Sequence, residues 1–319
     1  MNSDLPVVCL GEALIDRLGP PGGDPAIDGP VDDRLGGAPA NVACGLARLG
    51  TSVAFLGRLG ADAIGDRFAT LFLQRGVDVD SVQWDAKRPS RTVLVRRSAD
   101  GERQFRGFAG DEGLGFADQA LASVELPKQA RWLLTGTLPL AAHASADSLR
   151  GAVAQSKARG IALAVDVNWR PTFWDSAARP DAGPSQQAIE LIRPLLEQAA
   201  LIKLAREEAI WLFDSTDPRA ICNQLPQKPD VVVTDGAEPV RWWMDGASGT
   251  QPAFHPPPVV DTTGAGDAFT AGLLHRWSAS PAVRVRFAAA CGALVCAGAG
   301  GIDPQPTEAQ VEEFLGGVS

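Results

Sequence analysis

The segment DTTGAGDAF, residues 261–269, places an acidic side chain directly behind a glycine-rich turn. Phe269, Leu273 and Trp277 follow at helical spacing, which predicts that a helix begins at the turn. The first turn of a helix has unpaired N–H groups and the positive end of the helix dipole, so it can hold an anion. Asp267 beside such a cradle suits phosphoryl transfer to an alcohol, with the carboxylate accepting the hydroxyl proton. The alternative is an aspartate that only caps the helix.

A second glycine turn runs into a helix at residues 35–50, LGGAPANVACGLARLG. Gly36 and Gly37 would expose backbone N–H groups, and Asn41 offers both donors and an acceptor to a polyhydroxy ligand. Asp16 follows the first predicted strand, at the edge where open α/β sheets bind ligands, and could accept hydrogen bonds from sugar hydroxyls. Helix capping and an ordinary turn remain alternatives for these residues.

Polar residues also follow two later strands. In DVNWRPTFW, Asn168 could lie at the strand tip, with Arg170 just beyond it, where an arginine can reach a phosphate or a hydroxyl. In KLAREE, Glu207 or Glu208 could hold Mg²⁺ through water, because Mg²⁺ usually keeps several waters. A solvated helix N-terminus that favours acids is the alternative for the two glutamates.

Several phosphate-binding and metal-binding classes are excluded by their missing motifs. The chain has no G-x-x-x-x-G-K-[ST] loop and no protein-kinase H-R-D-L-x-x-x-N set. Its three histidines are not at metal-ligand spacing, which argues against a zinc site or a histidine-based triad. A plausible nucleotide edge instead follows the strand VVVTDG, at Thr234 and Gly236.

These residues must be positioned by a regular alternation of strands and helices. Continuous apolar runs predict buried strands at PVVCLG, SVAFLG, RWLLTG, IALAVDVN, ALIKLA and DVVVTDG. Amphipathic runs predict helices at PANVACGLARLG, which ends at Gly50, at DSLRGAVAQSKARG, which ends at Gly160, and at QQAIELIRPLLEQ. The alternation predicts a doubly wound, mostly parallel sheet.

Two stretches interrupt this alternation. Residues 19–35 are rich in Pro, Gly and Asp, and residues 90–108 read as a β-hairpin around an Asp-Gly turn. We expect them to form a small β-flap within roughly 13–36 and 88–110, inside a single domain over 1–319. An ordinary surface hairpin is the alternative.

Composition and charge limit the partners. With 319 residues, 45% of them hydrophobic, the chain can bury one large core. A net charge of −9 disfavours non-specific binding to nucleic acid or to an anionic membrane. Five scattered cysteines without a CxxC pair, and no leader or spanning segment, predict a cytoplasmic protein with reduced thiols. An apolar flap face at Val93, Val95 and Phe105 makes a homodimer through the flap plausible.

The two glycine segments together resemble the paired signatures of the ribokinase-like, or PfkB, carbohydrate kinases. VVCLGEALID, FLGRLGADAIGDRF, DVNWRP, KLAREE and GGIDPQPT fall in the order and spacing of that family, so the resemblance covers nearly the whole chain. GEALID, GGAPANVA and ADGERQF are most similar to its fructokinases. The resemblance implies a three-layer α/β sandwich with a mostly parallel central sheet, a β-flap lid that closes over a sugar, and ATP as phosphoryl donor.

The resemblance also implies roles for individual residues. Catalysis would use Asp267 as the base and Gly264, Ala265 and Gly266 as the anion hole. The sugar would meet Asp16, Gly36, Gly37, Asn41 and Arg170. The nucleotide would meet Lys203, Glu208, Thr234, Gly236, Gly264 and Gly266. Mg²⁺ would be held through water by Glu208, and a monovalent cation such as K⁺ by Asp261, Thr263 and Gly300.

Some positions depart from the family pattern. Ala205 stands where members usually have Asn or Ser, Ala289 where fructokinases often have Asn, and the lid reads RGFAGDE instead of carrying SAD. Three functions are therefore compared: a kinase for D-fructose, a kinase for another sugar such as 2-keto-3-deoxygluconate, and a kinase-like binding or regulatory protein with little turnover.

Overall fold

The structure, a computed structural model, describes residues 7–97, 103–254 and 258–317. In chain order its strands are β1 Val7–Leu10, β2 Leu14–Pro21, β3 Asp32–Gly36, β4 Val53–Leu56, β5 Arg58–Gly60, β6 Gln83–Asp85, β7 Thr92–Arg97, β8 Arg103–Ala109, β9 Trp132–Thr135, β10 Ala162–Asp166, β11 Leu201–Ala205, β12 Asp230–Asp235, β13 Glu238–Met244 and β14 Ala247–Gln251. Its α-helices are α1 Ala38–Leu49, α2 Ala63–Arg75, α3 His143–Arg159, α4 Pro171–Trp174, α5 Gln186–Leu196, α6 Arg206–Phe213, α7 Pro218–Asn223, α8 Ala265–His275, α9 Pro281–Val295 and α10 Glu308–Gly317.

The central sheet has the order β14-β13-β12-β11-β10-β9-β1-β4. From β12 to β4 every neighbouring pair is parallel, while β13 and β14 extend the edge in antiparallel pairing. Each of the six predicted apolar runs supplies one of the parallel strands. The predicted mostly parallel α/β sheet is confirmed.

Helices cover both faces of this sheet. In β1, Cys9 lies in the core on the side of α1, α8 and α9, whereas Val8 and Leu10 lie in the core on the side of α3 and α5. Alternate side chains of one strand are thus buried on opposite faces, which explains its continuous apolar sequence. The result is the expected three-layer sandwich.

The predicted helix ends depend on left-handed glycines. Gly50 follows α1 with φ 95° and Gly160 follows α3 with φ 67°, a region that side chains other than glycine's rarely enter. Helix α8 begins at the predicted turn but ends at His275, before Trp277. Trp277 nevertheless packs against Trp132, with ring centroids 4.6 Å apart, so the apolar face continues beyond the helix.

A separate four-stranded sheet, the flap, has the order β3-β2-β7-β8. Strand β2 pairs antiparallel with β3 and parallel with β7, and β7 pairs antiparallel with β8. All four strands fall within the expected stretches, and the predicted Asp-Gly turn lies outside the described residues. That this sheet closes over a ligand stays a prediction.

Among the described residues, no helix is long and apolar enough to cross a membrane. The cytoplasmic location stays a prediction.

Candidate active site

Two cavities meet at the glycine turn in front of α8. The larger, of about 620 Å³, lies between the flap and the carboxyl ends of the parallel strands. Its lining includes Glu12, Asp16, Gly37, Asn41, Asn168, Arg170, Lys203, Ala205, Glu208, Gly264 and Asp267. The smaller, of about 290 Å³, is lined mainly by apolar residues and shares Thr234, Thr262 and Gly266 with the larger. The structure therefore brings residues from five distant stretches around one turn.

The flap contributes an apolar wall to the larger cavity through Val93, Val95 and Phe105. These are the residues whose apolar face suggested a homodimer. Val93 and Val95 are two apart in β7, so both lie on one side of the flap, and that side faces the cavity. The homodimer stays a prediction.

The turn itself requires its glycines. Gly264 has φ 79°, and a Cβ there would collide with the backbone of Gly301. A Cβ on Gly266 would lie 2.8 Å from Lys203 Nζ. The Ala265 N–H donates to the Thr262 carbonyl at 3.2 Å, so of the three predicted anion-hole residues Ala265 already has a backbone partner.

The N–H groups of the next two residues can still receive an anion. Among the described residues, no carbonyl or side chain accepts from Gly266 N–H or Asp267 N–H, as expected for the first turn of a helix. Both groups belong to the end of α8 that carries the positive dipole charge. This end lies where the two cavities join.

Asp267 lies at the floor of the larger cavity, partly exposed to it. Asn41 Nδ2 donates to Asp267 Oδ2 at 2.7 Å. The pKa of Asp267 is raised to about 6, chiefly because the surrounding protein removes its solvation and also because Asp166 is near; the Asn41 hydrogen bond, Lys203 and Arg170 oppose the rise. The carboxylate is thus ionised at neutral pH and has a pKa close to the value that suits a general base.

A buried ion pair lies beneath the turn. Lys203 Nζ donates to Asp166 Oδ1 at 3.0 Å, and Thr270 Oγ1 donates to Asp166 Oδ2 at 2.8 Å. Burial alone lowers the pKa of Lys203, but Asp166 and Glu208 outweigh it and raise that pKa. The pair joins β10, β11 and α8 and sets a permanent positive charge beside Gly266. Sequence reasoning missed Asp166, although its place at a strand end was a usable signal.

Glu208 is buried and accepts two backbone hydrogen bonds, from Trp169 N at 2.6 Å and from Ala205 N at 2.7 Å. Burial raises its pKa, and Lys203 opposes the rise. Both carboxylate oxygens are therefore engaged. Each oxygen keeps a lone pair that can accept a hydrogen bond from a water, which fits contact with Mg²⁺ through that water. Glu207 is exposed instead, and Ala205 offers the cavity only a methyl group.

The predicted sugar residues converge near the start of α1. A Cβ on Gly36 would lie 3.4 Å from an Asp16 carboxylate oxygen and 4.0 Å from Asn41 Oδ1, so Gly36 lies between these side chains. Gly37 has φ 102°, and a Cβ there would lie 2.7 Å from the Glu12 carbonyl oxygen. Asn41 Oδ1 is buried and has no partner among the described residues, so it can accept from a ligand hydroxyl.

Glu12 is a cavity residue that sequence reasoning missed. Its Oε1 accepts the Ala38 N–H at 3.1 Å, while Oε2 is buried without a partner in the described part of the chain. Burial raises the pKa of Glu12 to about 8, against hydrogen bonds from its own N–H and that of Ala38. The side chain is thus largely protonated at neutral pH and could donate a hydrogen bond. Its place next to Gly11, at the end of β1, was the available signal.

The remaining predicted residues lie around the same space. Arg170 is exposed in the larger cavity, where its Nη1 donates to the Trp169 carbonyl at 3.1 Å. Thr234 and Gly236 line the smaller cavity, together with Ala289. An apolar recess beside the turn suits a flat aromatic ring such as a nucleobase.

The predicted monovalent-cation residues come together, but with an added partner. The Asp261 carboxylate accepts from Thr263 N at 3.0 Å, from Thr263 Oγ1 at 2.7 Å and from Gly300 N at 2.9 Å. Arg34 Nη1 donates to the same carboxylate at 3.2 Å. No group of three or more His, Cys, Asp or Glu side chains suited to a metal occurs among the described residues.

Known proteins share both the sequence and the shape of this chain. The model of the pfkB family carbohydrate kinases matches residues 5–308. Probable fructokinase-6, chloroplastic, of Arabidopsis thaliana is 33% identical over 97% of this chain and 82% of its own length. The crystal structure of fructokinase with bound ATP from Xylella fastidiosa is 28% identical, covers 100% of this chain and 99% of its own, and has a TM-score of 0.84. Fructokinase from Vibrio cholerae O395, in a fructose-, ADP- and calcium-ion-bound form, is 29% identical over 98% of this chain and 100% of its own, with a TM-score of 0.82.

Proposed function

The chain belongs to the pfkB family of carbohydrate kinases, and we propose that it transfers the γ-phosphoryl group of ATP to D-fructose, giving fructose 6-phosphate and ADP. One observation carries the proposal: Asp267, with its pKa raised to about 6, lines the cavity under the flap, directly after Gly266, which that cavity shares with the apolar cavity behind the turn. Similarity to fructokinases, among them one with bound ATP and one with bound fructose, supports the choice of substrates.

In this reaction the 6-hydroxyl oxygen of the sugar attacks the γ-phosphorus while the bond to the bridging oxygen of ADP breaks. Asp267 accepts the proton that the hydroxyl loses. The N–H groups of Gly266 and Asp267, with the Lys203 ammonium beside them, stabilise negative charge on the transferred group. Glu208 would hold Mg²⁺ through a water, and the bound ion would further compensate the charges of the phosphates.

The larger cavity favours a neutral polyol. Asp16 can accept from sugar hydroxyls, and Asn41 Oδ1 is a buried acceptor that needs a donor. The opposite wall is apolar, with Val95 and Phe105 from the flap. A site that reads hydroxyl groups discriminates strongly, because a ligand without them leaves buried polar groups unpaired.

A second candidate substrate is a sugar acid such as 2-keto-3-deoxygluconate. The observation in its favour is Arg170, whose exposed guanidinium lines the cavity and could pair with a carboxylate. A sugar acid would need the charge of this arginine, whereas fructose would not. Arg170→Gln should therefore raise the KM for a sugar acid far more than the KM for fructose.

The test is kcat/KM with ATP across D-fructose, ribose, 2-keto-3-deoxygluconate, adenosine and fructose 6-phosphate, with the product identified by ³¹P NMR. We expect fructose to be the best acceptor. A tenfold advantage for the keto-deoxy acid or for fructose 6-phosphate would overturn fructose and leave the kinase activity standing. Absence of turnover with every sugar, in protein that still binds ATP, would instead favour the binding or regulatory protein.

A further inference from the structure

Arg34, an arginine of the flap, forms an ion pair with Asp261, the carboxylate that supports the anion hole. Arg34 belongs to β3, and its Nη1 reaches Asp261 Oδ2 at 3.2 Å across 227 residues of sequence. The rest of the guanidinium is held in place, since Nε and Nη2 both donate to Asp32 Oδ2, at 2.9 and 2.6 Å. Arg34 is mostly covered, with 24% of its side chain exposed, and Asp261 has 6% exposed.

Both oxygens of the Asp261 carboxylate are in use. Oδ1 accepts the N–H and the hydroxyl of Thr263, and Oδ2 accepts the Gly300 N–H and Arg34. A monovalent cation coordinated by this carboxylate would have to displace at least one donor, and it would meet the positive charge of Arg34 at short range. The residues present here do not fit such an ion.

We propose that the guanidinium of Arg34 takes the place of a monovalent cation, so that the phosphotransfer of this protein does not depend on K⁺. A buried carboxylate without a compensating positive charge is costly, and arginine supplies a charge that is permanent at any working pH. The inference rests on the proposed kinase function for its activity readout, but the underlying charge balance does not.

The carboxylate is placed so that its neutralisation affects the anion hole. Thr263, which Asp261 holds by two bonds, directly precedes Gly264 at the start of α8. Gly300, held by a third bond, precedes Gly301, where a Cβ would lie 3.3 Å from Gly264 Cα. Loss of the positive charge would therefore loosen both segments that fix the turn. Arg34 donates to Asp32 and Asp261 and not to the catalytic carboxylate of Asp267. It is therefore a positioning residue.

The experiment compares the wild-type protein with Arg34→Met, which keeps an apolar stem and removes the charge. Initial rates with fructose and ATP are measured in KCl, NaCl and choline chloride at constant ionic strength. We expect the wild-type rate to change by less than about twofold among the salts. The rate of Arg34→Met in choline chloride should be about tenfold lower than that of the wild type, which is less than the rate loss caused by removing an oxyanion-hole donor. K⁺ should restore a large part of that loss.

Arg17→Met is the matched control. Arg17 makes an ion pair of the same kind with Asp33 at 2.7 Å, in the same flap, without touching Asp261. Its response to the salts should stay flat. Arg34→Lys, which keeps the charge, should lie nearer the wild type than Arg34→Met does.

Thermal unfolding gives a second readout that does not depend on turnover. The Tm of Arg34→Met should be higher in KCl than in choline chloride, and those of the wild type and Arg17→Met should not differ between the salts. If no sugar is phosphorylated, these melting curves still test the inference while the proposed function fails.

Two results would overturn the inference. One is activation of the wild type by K⁺ of more than about fivefold, a coupling of ordinary size for a bound effector, and this result counts even if Arg34→Met does not fold. An Arg34→Met variant with wild-type rate and no salt response would overturn it as well.

Discussion

Asp267 and Glu208 occupy the same helical position and yet differ in what they can do. Each is the third residue of its helix, α8 for Asp267 and α6 for Glu208, and burial raises the pKa of both. Glu208 turns back to accept the Ala205 N–H in front of its own helix and takes a second bond from Trp169. Asp267 leaves the N–H groups of its helix open and accepts only the Asn41 amide among the described residues.

The difference shows how the chain separates a structural acid from a reactive one. Two short backbone bonds hold Glu208 in one place and engage both of its oxygens, so it joins the segment after β10 to α6 and is not presented to a substrate hydroxyl. The shorter side chain of Asp267 faces the cavity with one oxygen lacking a hydrogen-bond donor from the described chain, which leaves it available to a substrate hydroxyl. The same first turn therefore supplies both the open N–H groups and the base.

The largest effect expected from breaking this contrast is that of Asp267→Asn. The amide keeps the shape and the backbone anion hole but cannot accept the proton, and loss of a general base typically costs about 10² to 10⁴ in rate. ATP binding, measured by calorimetry, should persist. A variant that retains more than about half of the wild-type kcat would exclude Asp267 as the base.

The acid limb of the pH profile of kcat/KM tests whether Asp267 is the base. Asp267 acts in its ionised form, and its pKa is raised to about 6, so kcat/KM should fall about tenfold per unit as the pH drops below 6. Above pH 6 the titration of Asp267 should no longer change kcat/KM. Rates are to be measured between pH 4.5 and 8, about two units around the limb, with the fold checked by circular dichroism. A profile still flat at pH 5 would contradict the assignment.

Glu208→Gln should act mainly on stability and on the Mg²⁺ requirement. Its amide group would face one of two backbone N–H donors, so one buried hydrogen bond is lost, at a cost of about 1–3 kcal/mol in the free energy of unfolding. Exposed Glu207→Gln is the control and should change stability by less than about 0.5 kcal/mol. Urea unfolding and Mg²⁺ titrations of both variants make the measurement; equal responses would mean that the two glutamates have been assigned the wrong way round.

The smallest expected effect is a displacement of the acid limb in Asn41→Leu. The Asn41 hydrogen bond lowers the pKa of Asp267, so its removal should move the limb to higher pH. The direction of the shift of the acid limb is the test, because Asn41→Leu also changes sugar binding and will therefore alter KM. An unmoved or lowered limb in kcat would show that Asn41 does not act on the base.

The sequence was sufficient for features that depend on neighbours along the chain. Continuous apolar runs predicted the parallel strands, and Gly50 and Gly160 predicted the ends of α1 and α3, because a left-handed cap is a local requirement. The turn before α8 was equally local, since Gly264 and Asp267 stand within one nonapeptide.

Features that depend on distant partners were not predictable in this way. Thr270 meets Asp166 across 104 residues and Arg34 meets Asp261 across 227, and no local pattern pairs them. The unpartnered oxygen of Glu12 is likewise visible only once the strands are packed. The apolar face of the flap was found from the sequence, but which way it points was decided by the sheet.

The order of elements along the chain also affects how the protein is made. The strands of the flap are all present once Ala109 has been synthesised, whereas α8 and α9 come from residues 265–295. Until those helices leave the ribosome, the part of one apolar sheet face that α9 covers at β13 and β14, including Val240 and Trp242, lacks its cover. The nascent chain therefore has its whole flap while part of its central sheet is still vulnerable to aggregation, and a premature stop before α8 would leave a product for chaperones and proteases to clear.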